Sequence, residues 1–164
     1  MAQGDYNMKI RRNIIGMIFI CTLFAGCASN PMVAIYDNNE RIASNTNTFN
    51  LDAVEQEITE GQMRANVERM EGMDTIWSFS SEENIEVDII YNISVYSGKL
   101  KMVFISPDGE VNIIRECDSE MEAPVQNTLN IQDGENRIKL VADKDTKFDI
   151  EVSITEGDFS KIGF

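Results

Sequence analysis

Twenty-eight carboxylates, three cysteines and no histidine make up the reactive inventory of this 164-residue chain. Without histidine, neither a Ser-His-Asp triad nor a Cys-His pair can form, and the commonest transition-metal ligand is missing. Zinc would need more thiolates than three cysteines supply. Glycoside cleavage needs two carboxyls at about 5 Å or about 6.5–9.5 Å across a cleft. A chain this acidic meets such spacings by chance, and a small domain has little room for a deep cleft. Asp143-Lys144-Asp145 begins like a calcium loop, but Phe148 stands at the sixth position and Ile154 at the twelfth. An EF-hand needs Gly and Glu there. No catalytic residue, metal site or cofactor is assigned, and the chain is expected to be non-enzymatic.

The flat aromatics are the remaining ligand candidates. Trp77 could stack on a sugar, yet it shares an alternating strand face with Phe79, where a large aromatic fills a core. Tyr96 falls on the polar face of its strand, beside Ser97-Gly98. Trp77 and Tyr96 are therefore the candidate ligand contacts, with Tyr36 a third exposed-aromatic candidate. Cys117 reads as a structural thiol, without a partner for an intrachain disulfide once Cys21 and Cys27 are assigned to the N-terminal region.

Charge narrows the partners. Lys+Arg number 14 against Asp+Glu 28. Setting residues 1–26 apart removes Lys9, Arg11, Arg12 and Asp5, leaving 11 bases and 27 acids. Such a surface repels phosphate backbones, so no nucleic-acid partner is expected. It is also repelled by anionic lipid heads, so membrane attachment must come from an anchor rather than a basic patch.

From Met8 the chain reads MKIRRNIIGMIFICTLFAGCASN. Lys9, Arg11 and Arg12 form a basic region, Ile14–Phe24 an apolar run, and Ala25-Gly26 a small-residue exit. This is the three-part layout of a secretory signal. The run is shorter than the roughly 20 residues a spanning helix needs. Leu23-Phe24-Ala25-Gly26-Cys27 resembles a bacterial lipobox. The resemblance implies cleavage between Gly26 and Cys27, and fatty acylation (palmitate or a similar chain) of the Cys27 sulfur. It further implies a lipid anchor at the cell membrane, on its extracytoplasmic face. Phe24 departs from the aliphatic residue usual at that position.

Three regions are expected: a signal helix over 1–26, a lipidated and Asn/Ser/Thr-rich flexible tether over 27–60, and a folded domain over 61–164. The tether reading rests on Ser29-Asn30-Pro31, Asp37-Asn38-Asn39-Glu40 and Ser44–Thr48, whose residues favour turns and solvated backbone. Within the domain, Ile85, Val87, Ile89, Tyr91, Ile93 and Val95 alternate with mostly polar residues, as do Phe148, Ile150, Val152 and Ile154. Leu100, Met102 and Phe104 alternate against Lys99, Lys101 and Val103. Strict alternation predicts antiparallel strands with one face inward. Ser97-Gly98, Pro107-Asp108-Gly109 and Asp133-Gly134 supply the turns. Strands are expected near 63–70, 75–79, 85–96, 99–106, 110–116, 125–131, 137–142 and 147–155. The predicted fold is all-β: an antiparallel sandwich of about seven to eight strands.

Ser106-Pro107-Asp108-Gly109 after a strand, and Gly134–Leu140 near the end, make this half similar to small β-sandwich domains of Gram-positive secreted and lipid-anchored proteins. They also give it a looser similarity to carbohydrate-binding sandwiches. The expectation is a lipid-anchored interaction module with a protein partner in the envelope. The alternative is a carbohydrate-binding module for cell-wall or external glycan, and a small hydrolase is the remainder.

Overall fold

A computed structural model describes residues 30–118 and 123–164. The proposed signal segment, the Gly26–Cys27 cleavage point and the Cys27 lipid site lie outside these residues. The described chain begins with a 3-10 turn at Val33–Ile35 and a short helix, α1, at Asn39–Ala43. Eight strands follow: β1 Thr48–Thr59, β2 Gln62–Ser81, β3 Ile85–Ser97, β4 Leu100–Ile105, β5 Val111–Cys117, β6 Val125–Ile131, β7 Gly134–Ile154 and β8 Asp158–Phe159. All pairings are antiparallel, and the predicted all-β sandwich is the fold observed.

Two long strands, β2 and β7, run side by side and belong to both layers. The first half of β2 pairs with the second half of β7, from Gln62↔Ser153 to Val67↔Phe148. Beyond irregularities around Met70 and Gly72, the second half of β2 pairs with the first half of β7, from Met73↔Val141 to Ser81↔Gly134. β3 adds to the second half of β7, and β6 to β3. β4 adds to the first half of β7, and β5 to β4. One layer is thus β1-β2-β7-β3-β6, and the other is β5-β4-β7-β2-β8. Met63, Val67, Ile93 and Ile150 from the first layer meet Trp77, Met102, Phe104 and Leu140 from the second in one core.

Gly72 sits at the bend with φ +95°, and a Cβ there would collide with the Thr48 carbonyl of β1. Only glycine can both take that conformation and let β1 pass so close. The pairs of short strands expected over 63–70 and 75–79, and over 137–142 and 147–155, are therefore each one bent strand.

The span 27–60, expected as a flexible tether, is folded onto the sandwich from residue 30 onward. β1 pairs with β2 from Thr48↔Met73 to Thr59↔Gln62. Its two-residue rhythm is broken by Ala53, which has φ +44° and no partner in the ladder. Phe49 and Leu51 therefore face the core before the break, and Val54 and Ile58 face it afterwards. Ahead of β1, Ile35, Tyr36 and Ile42 are buried against Met73, Val103, Ile105 and Val141. They form a cap over the outer face of the second layer. This explains why all six residues of β4 are buried: Leu100, Met102 and Phe104 face the main core, and Val103 and Ile105 face the cap. The alternation expected to leave Lys101 and Val103 in solvent instead lies under residues 32–43.

Three cations hold the cap. Lys139 is fully buried and its Nζ donates to the Ser44 carbonyl at 2.6 Å and the Thr46 carbonyl at 2.9 Å. Arg137 donates from Nη1 to Ser44 O at 3.1 Å and from Nη2 to Ala43 O at 3.0 Å. Lys101 Nζ donates to Tyr36 O at 3.1 Å and Asp37 Oδ1 at 2.9 Å, and lies 4.0 Å from the Tyr36 ring centre. The carbonyls at the end of a helical turn have no partner within the helix and carry partial negative charge, so they attract cations. Asn38 serves the other end of α1, its Oδ1 accepting from Arg41 N at 3.0 Å. Burial, reinforced by the Arg137 charge, pushes the Lys139 ammonium down to about 8.

The chain end closes the opposite margin. Gln56 exchanges two hydrogen bonds with the backbone of buried Ile162, and Gly163 N donates to Asp74 Oδ2 at 2.6 Å. Asp74 is fully buried and its Oδ1 has no partner. Burial raises its carboxyl to about 6, against the lowering effect of the backbone donors and Lys139.

Two outcomes follow from these groups. Lys139→Met leaves Thr46 O without its donor and should reduce stability by about 1–3 kcal/mol. The check is a lower urea midpoint at unchanged slope; an unchanged midpoint would refute the docking role. For Asp74, the unfolded chain releases its proton near pH 4 and the folded chain near pH 6. Wild-type stability therefore falls as pH rises through that window. Asp74→Asn removes this titration, so its stability relative to wild type should climb by roughly 3 kcal/mol between pH 3.5 and pH 7. Parallel pH profiles for the two proteins would rule this out.

Candidate functional site

Among the described residues, β5 pairs only with β4 and β6 only with β3, so each is an open edge of its layer. The two edges lie on the same side of the sandwich, and a groove of about 490 Å³ opens between them. Phe104, Asn112, Ile113 and Ile114 line one side, and Asn127, Thr128, Leu129 and Asn130 the other, with Ser106, Glu110 and Gln132 at the end. Ile113 is 56% exposed, opposite Val103, which the cap buries.

Two turns fix the lips. In the β4–β5 turn, Ser106 N donates to Glu110 O at 3.2 Å, and the Ser106 hydroxyl donates to Asp108 Oδ1 at 2.5 Å. Asp108 Oδ1 also accepts from Glu110 N at 3.2 Å. The hydroxyl bond, helped by that amide, holds the Asp108 carboxyl below its ordinary range. In the β6–β7 turn, buried Asn136 accepts from Gln132 N at 3.0 Å and donates to Gln132 O at 2.7 Å. Each lip is a side-chain-locked turn of the kind Asn, Asp and Ser favour.

The lining divides into held and unheld side chains. Asn127 donates to Tyr91 OH at 3.3 Å, and Thr128 to Asp88 Oδ1 at 2.9 Å. Among the described residues, the side chains of Asn112, Asn130 and Gln132 have no hydrogen-bond partner in the chain. Each amide both donates and accepts. Glu110 is the one carboxylate among the described lining residues. The arrangement can hydrogen-bond a neutral polar ligand or add a strand to an edge, and Leu129, Ile113 and Ile114 give it apolar contact. It does not bring two carboxyls together for acid–base work.

The structure separates the aromatics named from sequence. Trp77 is fully buried in the main core, its Nε1 donating to Glu156 O at 2.8 Å and its ring tilted against Phe79. Gly157 packs on it so closely that a Cβ would strike the indole. Trp77 is a core residue and cannot stack on a ligand, which corrects that candidate contact. Tyr96 is 49% exposed, on the open polar face of the first layer. Its hydroxyl donates to Asp149 Oδ2 at 2.7 Å, and Asn66 Nδ2 donates to Asp149 Oδ1 at 2.8 Å. Beside them Arg64 pairs with Glu151 at 2.7 Å. Tyr96 is thus one member of a polar lattice across β2, β7 and β3, away from the groove. Tyr36 is buried under Lys101, and its hydroxyl donates to Glu116 Oε1 at 2.9 Å. Burial and that carboxylate raise its pKa. Cys117 is buried at the end of β5. Asp143 and Asp145 flank the bend of β7, and among the described residues no group of three or more acidic or cysteine side chains is placed to hold a metal.

The groove residues carry no sequence signal of their own. Asn112 and Asn127 stand opposite core-facing Phe104 and Ile89, and Asn130 opposite Glu86, yet all three read as ordinary solvated strand residues, and only the pairing order makes β5 and β6 the two edges.

No family model matches the chain, and no curated protein matches it. Several solved structures share part of its outline. PirA aligns with a TM-score of 0.39 at 11% identity, over 60% of this chain and 96% of its own. A family 29 carbohydrate-binding module complexed with mannohexaose aligns with a TM-score of 0.35 at 16% identity, over 68% and 83%. A carbohydrate-binding module of Cellvibrio mixtus lichenase 5A, in complex with cellotriose, gives 0.35 at 13%, over 63% and 88%. These likenesses carry no binding site over to this chain.

Proposed function

We propose that the chain is an extracytoplasmic lipoprotein, held at the cell membrane through a lipid on Cys27, whose sandwich is a non-enzymatic binding module. Its binding surface is the groove between β5 and β6, and its partner is a protein of the envelope. The lipobox-like Leu23–Cys27 supports the address. The observation that carries the binding reading is the groove itself, where two open strand edges face one space. An unpaired edge offers a row of backbone donors and acceptors to an extended segment of another protein, and alternate side chains of that segment find pockets. Ile113, Ile114 and Leu129 supply the apolar part of such a contact. Anchoring adds to it by raising the local concentration of the module at the membrane.

A glycan partner is the second reading. The unheld amides of Asn112, Asn130 and Gln132 favour it, because amide pairs match sugar hydroxyls. With Glu110 the single acid of the lining, neither reading involves bond cleavage.

One set of anchored variants tests the proposal in cells that process lipoproteins. A photocrosslinking residue at Asn112 should join the chain to one envelope protein, while the same residue at exposed Glu57 on β1 should not. Loss of the adduct in Asn130→Ala would place the contact in the groove. Equal adducts from both positions would refute the groove. Absence of any protein adduct, with retention on a glycan array that Asn130→Ala abolishes, would replace the protein partner by a sugar. The address is read from the N-terminal peptide, which should start at Cys27 and carry diacylglycerol mass. An unmodified leader, or a Cys27→Ala chain that partitions unchanged into detergent, would overturn it.

A further inference from the structure

We infer that the anchored protein stands upright, with the bend of β2 and β7 against the lipid headgroups and the opposite end of the sandwich projecting outward. The inference rests on the lipoprotein reading and adds the surface that meets the membrane.

The first support is where the folded chain begins. Asn30 Nδ2 donates to Glu71 Oε2 at 2.7 Å. Glu71 is buried at the bend, next to Gly72, and also accepts from Asn50 Nδ2 at 3.3 Å and Asp145 N at 3.3 Å. The Asn30 bond, with those two donors, holds its carboxyl below the usual range. Residue 30 is therefore tied to the bend by one hydrogen bond to a carboxylate that two further donors hold in place. Cys27 lies three residues earlier, a stretch that spans at most about 11 Å. A lipid on Cys27 keeps the bend within that distance of the interface, and the domain has no long stalk on which to turn.

The second support is independent and electrostatic. The register places the two ends of the sandwich apart. Ser97↔Lys147 and Leu100↔Ala142 lie at the bend, while Ile85↔Ile131 and Ser81↔Gly134 lie at the far end. The far-end turns, residues 60–61, 82–84, 107–110, 132–135 and 155–158, hold nine carboxylates, all exposed, and no base. Of the exposed bases, Arg69, Lys99 and Lys144 are at the bend, with half-exposed Lys147, while Arg64 lies one row in from the 60–61 turn and Arg41, Arg115 and Lys161 lie outside the far-end turns. Acids share that end: Arg69 meets Asp52 at 3.4 Å and Asp145 at 3.9 Å, and Lys147 meets Glu68 at 2.7 Å. The bend, which also carries exposed Asp118, is thus mixed in charge, whereas the far-end turns carry acids alone, with Arg64 beside them paired to Glu151. An anionic leaflet attracts cations and repels carboxylates within about a Debye length. Both effects turn the same end toward the membrane that the Asn30–Glu71 contact already places there.

The 13 residues of β3 join the two ends, so the far end stands roughly 40 Å above the bend. Ser106, Glu110 and Gln132, which close the groove, belong to that far end. The groove is then presented away from the bilayer.

The test uses the full acylated chain, purified from membranes and reconstituted in phosphatidylcholine–phosphatidylglycerol vesicles with an acceptor dye on the headgroups. A donor dye is placed at the bend in Ser97→Cys or at the far end in Asp133→Cys. The unsubstituted chain serves as the blank for buried Cys117. Flotation with the vesicles is scored first, and a chain that fails to float overturns the lipoprotein reading and this one with it. For chains that float, energy transfer should be severalfold stronger from position 97 than from position 133. Equal transfer from both would mean a domain lying flat or tumbling. Stronger transfer from 133 would mean the reverse orientation. Either result overturns the inference and leaves the anchor standing.

Discussion

The antiparallel pairing of β2 with β7 is the constraint on which every other element depends. β1 and β8 attach to β2, β3 and β4 attach to β7, and β6 and β5 attach to those. A flat ribbon of two strands this long would have no core. The bend at Gly72 and the matching break near Asp145 turn one ribbon into two half-sheets whose apolar faces can meet. The bend also sends connections across the layers at both ends, which closes the sandwich without a single parallel pair. Most contacts of such a fold join residues far apart in sequence, and an all-β topology of this kind folds slowly compared with a helical bundle.

The cap shows how an acidic chain uses its few bases. Lys101, Arg137 and Lys139 point from the second layer at the backbone carbonyls of residues 36–46. A purely apolar face under those carbonyls would leave them dehydrated and unpaired, which is costly. Charged donors satisfy them, and the apolar cluster of Ile35, Ile42, Val103 and Val141 surrounds the contacts. Burying a lysine opposes the gain, as the lowered Lys139 shows. The arrangement therefore specifies where the cap docks more than it adds net stability. Withdrawing three cations from the surface also leaves the exterior more acidic than the composition suggests.

What the sequence made legible was the part built on strict alternation. β3 has six inward apolar positions in register; five are buried, and Ile85 at its start is half-buried against the same core. The fold class followed from such runs and from the turns between them. The misread parts each have a local cause. β1 was hidden because Ala53 shifts its rhythm by one residue. The bends of β2 and β7 look like turns in the sequence, so each long strand resembles two short ones. Lys101 resembles a solvated residue, so β4 looks one-sided although the cap covers its other face. Trp77 could be weighed between core and ligand from its neighbour Phe79, and its burial decided the matter. The groove was invisible because edge position is a property of pairing order, and no local pattern encodes it.

Open edges usually carry a liability, since they can template pairing with another copy. Here the two edges share one groove and one acidic end. A second copy approaching in the same manner would bring its own far-end carboxylates against these. Like charges within about 8 Å repel strongly at physiological salt, and Glu110 stands at the mouth of the groove itself. Repulsion of this kind acts on copies of the chain and not on a neutral or basic segment, so the same charge that discourages self-pairing leaves the edges open to something else. The acidic surplus thus has a structural consequence beyond solubility: it lets two strands remain exposed on a small domain where, among the described residues, neither a helix nor a loop covers them.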